Sequence, residues 1–257
     1  MNLLRAFETV RRKNEAALLA YHVAGYPTLS DSMRVFRTLA EGGADILEVG
    51  VPFSDPIADG PAIQSASACA LRRGATLRAI VQGFAGSGIH APCVLMSYIN
   101  PLLAYGIPRL FGDLKQAGFC GLIVPDLPPE EASGWIQQSE RHGLDMVFLV
   151  TPVSGPGRIR FITSRSRGFI YAVSVTGTTG ARNSLPGDLS AFLARVRRFS
   201  DLPVAVGFGI STPDQVRAVS RSADGAVVGS RIVEAVRRGE DVRRLVANLK
   251  RATRAKS

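Results

Sequence analysis

The sequence predicts an α/β fold, a single (β/α)8 TIM barrel over residues 1–257 with an extra N-terminal helix. Three observations carry this reading. Eight short apolar runs alternate with amphipathic runs along the whole chain. The length of 257 residues suits eight such units, which typically occupy ~250. Polar residues gather just after the apolar runs, where barrels of this type build their active sites. A doubly wound open sheet is the alternative; it normally needs fewer strands and a reversal of strand order that a sequence does not display.

The strand-like runs are Leu18–Ala24, Ile46–Val51, Cys93–Tyr98, Gly121–Pro125, Met146–Thr151, Phe169–Val175, Val204–Gly207 and Ala226–Gly229. They are short, apolar and rich in β-branched residues, as strands covered on both faces are. Helical spacing falls between them at Ser30–Glu41, Pro108–Ala117, Pro129–His142, Leu189–Phe199 and Pro213–Val219. Ser30-Asp31 marks one helix start, and Pro129 with Glu130 and Glu131 marks another. Near the C-terminus Val242, Leu245, Val246 and Leu249 recur at helical spacing. No low-complexity linker interrupts the series, which argues for one domain.

Composition narrows the function classes. A hydrophobic fraction of 46% supports a full core. No run is long and apolar enough to span a membrane, and Met1–Glu8 lacks the apolar region of a signal peptide, so a cytoplasmic location is expected. Cys69, Cys93, Cys120, His22, His90 and His142 are scattered without ligand spacing, so no metal site is expected. The net charge of +10 concentrates late in the chain, at Arg237-Arg238, Arg243-Arg244, Lys250-Arg251, Arg254 and Lys256. No aromatic residues interleave with these, as a surface for single-stranded nucleic acid would require, so they read as the solvated face of a docked helix. Neither nucleic acid nor membrane is expected as a partner, and a basic surface would attract a phosphorylated substrate.

One stretch carries most of the chemistry. Asp45-Ile46-Leu47-Glu48-Val49-Gly50-Val51 places a carboxyl inside a strand, where Glu is rarely found without a partner or a task. The loop that follows, Pro52 to Pro61, carries Asp55 and Asp59. A strand acid and a loop acid in unlike environments are suited to separate proton-transfer roles; the alternative is a Glu48 paired with a neighbouring Lys or Arg. Further polar residues, Tyr98, Asn100, Asp126, Thr151, Tyr171 and Ser230, fall at or just beyond strand ends. Val206-Gly207-Phe208-Gly209-Ile210-Ser211 and Val228-Gly229-Ser230-Arg231 follow the seventh and eighth runs, the usual phosphate loops of the fold, although tight turns also use glycine. Ser174–Arg182 opens a polar loop after the sixth run that reads as a lid or as an ordinary connection.

The segment Leu47–Pro61 matches, without a gap, the signature of the tryptophan synthase α subunit family, and the chain resembles that family from about Leu18 to Ile232, including Asn100, Asp126-Leu127-Pro128, Thr179-Gly180 and Gly207–Ile210. The resemblance implies retro-aldol cleavage of indole-3-glycerol phosphate to indole and glyceraldehyde 3-phosphate, without cofactor or metal. It implies Glu48 and Asp59 as the catalytic acids. Tyr21, Met96, Tyr98, Ile123 and Tyr171 would enclose the indole, with Thr179 and Gly180 in the lid. Gly180, Phe208, Gly209, Gly229 and Ser230 would hold the phosphate. Pro52, Asp55, Pro56, Asn100 and Pro128 would face a β subunit in an α2β2 complex. Tyr21 departs from the Phe found in some members. A stand-alone lyase releasing free indole, and a catalytically weak allosteric partner, are the alternatives.

Overall fold

Nine short parallel strands make one sheet in the computed structural model, which describes residues 2–173, 189–207 and 209–254. The strands are β1 Ala17–Val23, β2 Ile46–Gly50, β3 Cys93–Met96, β4 Phe119–Ile123, β5 Asp145–Val147, β6 Leu149–Val150, β7 Ile170–Val173, β8 Val204–Gly207 and β9 Gly225–Val228. Their order is β5-β4-β3-β2-β1-β9-β8-β7-β6. The two ends of this series, β5 and β6, are neighbours in the chain, joined by Phe148. The sheet therefore curls round on itself into the TIM barrel. The run Met146–Thr151 is thus not one strand. β5 pairs with β4 and β6 with β7, so the hydrogen-bond ladder changes partner at Phe148 while the side chains keep alternating.

Alternation sorts the core into two layers. Leu19, Tyr21, Val23, Ile46, Val94, Met96, Ile123, Val147, Tyr171, Ala205 and Val227 fill the barrel interior. Leu18, Ala20, Leu47, Val49, Leu95, Leu122, Phe148, Ala172, Val206 and Val228 face the surrounding helices. Each fully buried Leu or Val among them contributes roughly 2 kcal/mol relative to exposure. Burial on both faces explains why the strands read as continuous apolar runs rather than as alternating ones.

The helices are α1 Leu3–Arg11, α2 Leu29–Glu41, α3 Pro61–Arg72, α4 Leu77–Ala85, α5 Ile99–Tyr105, α6 Ile107–Gln116, α7 Ser133–His142, α8 Pro156–Arg165, α9 Leu189–Arg197, α10 Pro213–Ser220, α11 Ser230–Arg237 and α12 Val242–Ala252. α1 is the extra N-terminal helix. Asn2 caps it by accepting from the Arg5 amide at 2.9 Å. Its Phe7 ring lies 5.4 Å from Phe169, so α1 packs against the interior layer at the N-terminal end of the strands. α7 begins at Ser133, four residues later than Pro129. Pro128 and Pro129 lack amide hydrogens, and the chain turns there instead, with Glu131 donating to the Pro128 carbonyl at 3.0 Å.

The C-terminal helix is fastened to the start of the barrel. Lys250 Nζ lies 2.8 Å from Asp45 and 3.0 Å from Glu15, and all three side chains are less than a fifth exposed. Asp45 also accepts from the Leu18 amide at 2.7 Å, tying β1 to the residue before β2. Lys250→Met removes the cation that Asp45 and Glu15 share. It is expected to lower unfolding stability by roughly 2–3 kcal/mol, less than for a fully enclosed pair because the cluster reaches water at one side. A urea midpoint unchanged from the parent would show that the cluster is peripheral.

Candidate active site

The interior face of β2 presents Ile46, Glu48 and Gly50 in succession, because side chains alternate along a strand. Glu48 is 1% exposed. It stands in register between Tyr21 on β1 and Val94 on β3. No Lys or Arg pairs with it, and its Oε2 has no hydrogen-bond partner among the described residues. Desolvation, with the Asp59 carboxylate adding to it, pushes the Glu48 carboxyl up to about 8.

Asp59 comes from the loop between β2 and α3. The loop leaves Asp59 little more open than Glu48, at 7% exposure. Burial pushes its carboxyl up to about 6, and a hydrogen bond from Tyr98 works against that rise. The Tyr98 hydroxyl donates to Asp59 Oδ2 at 3.2 Å, and Gln64 Nε2 donates to the Asp59 carbonyl at 2.9 Å. Burial therefore favours the protonated form at Glu48 more strongly than at Asp59, where the Tyr98 hydroxyl favours the carboxylate. Two carboxyls held apart in this way supply an acid and a charge stabiliser side by side.

Both acids line a cavity of about 440 Å³ at the C-terminal ends of the strands. Tyr21, Met96 and Tyr171 line it with them, as do Gly209, Gly229 and Ser230 from the two glycine loops. Gly209 has a positive φ of 85°, which L side chains rarely adopt. Ser230 opens α11, and no side chain caps that helix, which leaves its first amides to an anion. The Ser211 amide, by contrast, is already taken by Gln215 Oε1 at 2.8 Å. Thr179, Gly180 and Phe208 lie outside the described residues, as does the Ser174–Arg182 loop.

Two expected lining residues stand elsewhere. Ile123 is fully buried in the interior layer, and Tyr98 stacks on Phe53, ring centroids 5.1 Å apart; neither is among the residues lining the cavity. Residues that sequence reasoning did not single out join the site: Ile63 at the start of α3, Val227 on β9 and Ile210 beyond β8. Two glycines at strand ends make room for it. A Cβ at Gly50 would fall 2.3 Å from the Tyr21 hydroxyl, and one at Gly207 would fall 2.3 Å from that of Tyr171. The signal for Gly50 was present, since it follows Glu48 by two residues and so shares its face.

Of the residues expected to face a partner, Asp55 and Asn100 are exposed, Pro56 and Pro128 half-buried, and Pro52 buried, without free surface. Large apolar side chains stand out beside them: Ile57 at 74% exposure, Leu103 at 50% and Val153 at 79%, all following strand ends on the cavity side. Among the described residues there is no cluster of three or more His, Cys, Asp or Glu suited to a metal ion, and no helix long and apolar enough to cross a membrane.

The chain matches the family model described as tryptophan synthase alpha chain over residues 7–256. It is 45% identical over 254 residues to the tryptophan synthase alpha chain of Geobacter sulfurreducens, covering 96% of each chain. It is 44% identical over 246 residues to that of Methanosarcina mazei, covering 95% of this chain and 90% of the other. Among solved structures, tryptophan synthase of Mycobacterium tuberculosis superposes with a TM-score of 0.92 at 40% identity, covering 98% of both chains.

The protonation of Glu48 makes a stability prediction. Its folded value of about 8 lies above the ordinary 4.5, so between those limits the native state binds the extra proton and stability falls as pH rises, by roughly 1.4 kcal/mol per pH unit. Glu48→Gln lacks this loss. The variant is expected to unfold at higher urea than the parent at pH 8, with the gap closing as pH falls toward 4.5. A gap that does not change with pH would contradict the desolvated carboxyl.

Proposed function

The chain belongs to the tryptophan synthase alpha chain family, and from that premise together with the site geometry we propose that it cleaves indole-3-glycerol phosphate to indole and glyceraldehyde 3-phosphate. The observation that carries the proposal is the pair of buried carboxyls, Glu48 and Asp59, on one cavity that Gly209, Gly229 and Ser230 from the two glycine loops also line.

The chemistry follows from the groups available. Breaking the bond between the indole ring and the glycerol chain requires a proton at ring carbon C3 and loss of the proton from the hydroxyl on the adjoining carbon. Neutral Glu48 delivers the first proton, and its carboxylate then accepts the second, leaving Glu48 protonated again. While C3 is protonated, positive charge spreads to the ring nitrogen. Ionised Asp59 accepts the ring N–H and offsets that charge. The amides at Gly229 and Ser230, with Gly209, hold the phosphate. Burial and the nearby acids keep the Tyr171 phenol well above its ordinary range, so it lines the site as a neutral hydroxyl. The step needs no electron sink beyond the indole itself.

A β subunit that consumes the indole is the proposed partner, in an α2β2 assembly. Ile57, Leu103 and Val153 support this: each is exposed and follows the C-terminal end of a strand, the end of the barrel at which the cavity opens, and exposed apolar side chains there suit a surface that is covered in use. The proposed setting is cytoplasmic, and among the described residues no helix is long and apolar enough to cross a membrane.

Three outcomes are expected. Glu48→Gln should lower indole release ~10²–10⁴-fold, and Asp59→Asn should cost a similar factor, with circular dichroism unchanged in both; near-normal turnover in either removes the assignment. Inorganic phosphate and glycerol phosphate should compete with substrate, and Ser230→Asp should raise KM by like-charge repulsion. Titrating a cognate β subunit into the assay should give a saturating rise in rate. High turnover of the chain alone, indifferent to any β subunit, would instead fit a stand-alone lyase.

A further inference from the structure

Tyr98 lies just beyond β3 and is 4% exposed. It is not part of the cavity wall, yet its hydroxyl makes two contacts with one loop. It accepts from the Ala58 amide at 2.9 Å and donates to Asp59 Oδ2 at 3.2 Å. Its ring stacks on Phe53, at the start of the same loop, at an interplanar angle of 28°. The backbone around Tyr98 is fastened independently of that loop. Ser97 Oγ donates to the Tyr98 carbonyl at 3.0 Å, the Ser97 amide donates to the Ile123 carbonyl at 3.1 Å, and the Ile99 amide donates to Asp126 Oδ1 at 2.9 Å. The phenol thus projects from a rigid part of the barrel, between the ends of β3 and β4, into the turn that carries the loop acid.

We propose that Tyr98 is a positioning residue for Asp59, holding the backbone before it and its carboxylate together so that the carboxylate faces the cavity. The proposal rests on the part given to Asp59 above. A donor fixed on a charged acceptor is stronger than a neutral pair. Here one oxygen serves as acceptor for residue 58 and donor to residue 59, so a single atom fixes both the loop's path and its carboxylate.

Few other groups among the described residues could take this task. Among the described residues, the groups that share the field of Asp59 include Glu48 from β2, Tyr21 from β1, Tyr171 from β7 and Tyr98 itself. Glu48 repels a carboxylate. Gln64 holds only the Asp59 carbonyl. Arg231 lines the cavity but is paired with Glu240 at 2.5 Å. Loss of the Tyr98 hydroxyl therefore removes an interaction that favours the ionised form, and the Asp59 carboxyl should titrate at higher pH.

Tyr98→Phe in the full chain tests this, because the ring and its stacking on Phe53 are kept. We expect kcat to fall roughly 10-fold or more with KM within about twofold, and the acid limb of the kcat profile to move to higher pH. In an Asp59→Asn background the same substitution should cost nothing further. Two readouts are independent of the reaction: carbon-13 NMR titration of Asp59 should move up, and hydrogen exchange of the Ala58 amide should quicken. An unchanged Asp59 titration with unchanged Ala58 exchange would overturn the proposal and leave Tyr98 as packing. If the parent shows no lyase activity, the functional reading fails, while the titration and exchange still decide the place of Tyr98.

Discussion

The desolvation of Glu48 is the constraint on which the rest of the site depends. A carboxyl on the inward face of a barrel strand is largely withdrawn from water, and among the described residues no Lys or Arg pairs with Glu48. Such a group stays neutral until the pH is well above its ordinary range. The barrel makes this possible by closing α1 against one end of its interior and setting the cavity at the other. The same closed sheet that supplies most of the hydrophobic stabilisation thus also keeps one acid in its protonated form.

Asp59 answers the opposite need. It approaches from a loop, so its carboxylate can meet a donor that strand geometry denies to Glu48, and among the described residues that donor is Tyr98. The difference between the acids therefore follows from where their backbones run. Glycines at Gly50 and Gly207 matter for a related reason: each opens the space into which a tyrosine hydroxyl leans over the next strand. The two acids, two phenols and the glycine loops all lie at the C-terminal ends of the strands, where one cavity joins them.

Much of this was legible in the sequence. The lone carboxyl inside the strand-like run at 46–51 singled out Glu48, because a burial pattern is a local property; the loop offered Asp55 and Asp59 alike, and the family resemblance chose Asp59 between them. The parallel barrel followed from the same runs. Several helices were not legible: α3 is rich in Ala and Ser, so its apolar stripe is faint, α5 buries Leu102 alone, and α8 buries only Ile159 and Ile162 beside Thr163. The change of partner at Phe148 was invisible because side-chain alternation continues across it while only the ladder shifts. The contact of Tyr98 with the loop that carries Asp59 was not legible either. Sequence places a residue at a strand end but does not say whether its side chain turns into the cavity or toward the neighbouring loop, and here the stacking with Phe53 draws it to the loop. Lining residues such as Ile63 and Val227 carry no polar signature and are found only by their position.

The central claim is that Glu48 carries a proton at neutral pH while Asp59 does not. Infrared difference spectroscopy of the chain, comparing the parent with Glu48→Gln at pH 7, tests it directly through the carbonyl stretch of a protonated carboxyl. The account predicts a protonated-carboxyl band in the parent, absent from the variant, that fades as the pH passes through about 8. A parent spectrum with no such band at pH 7, or one whose band disappears near pH 4.5, would show that Glu48 is an ordinary ionised carboxylate and would contradict the account.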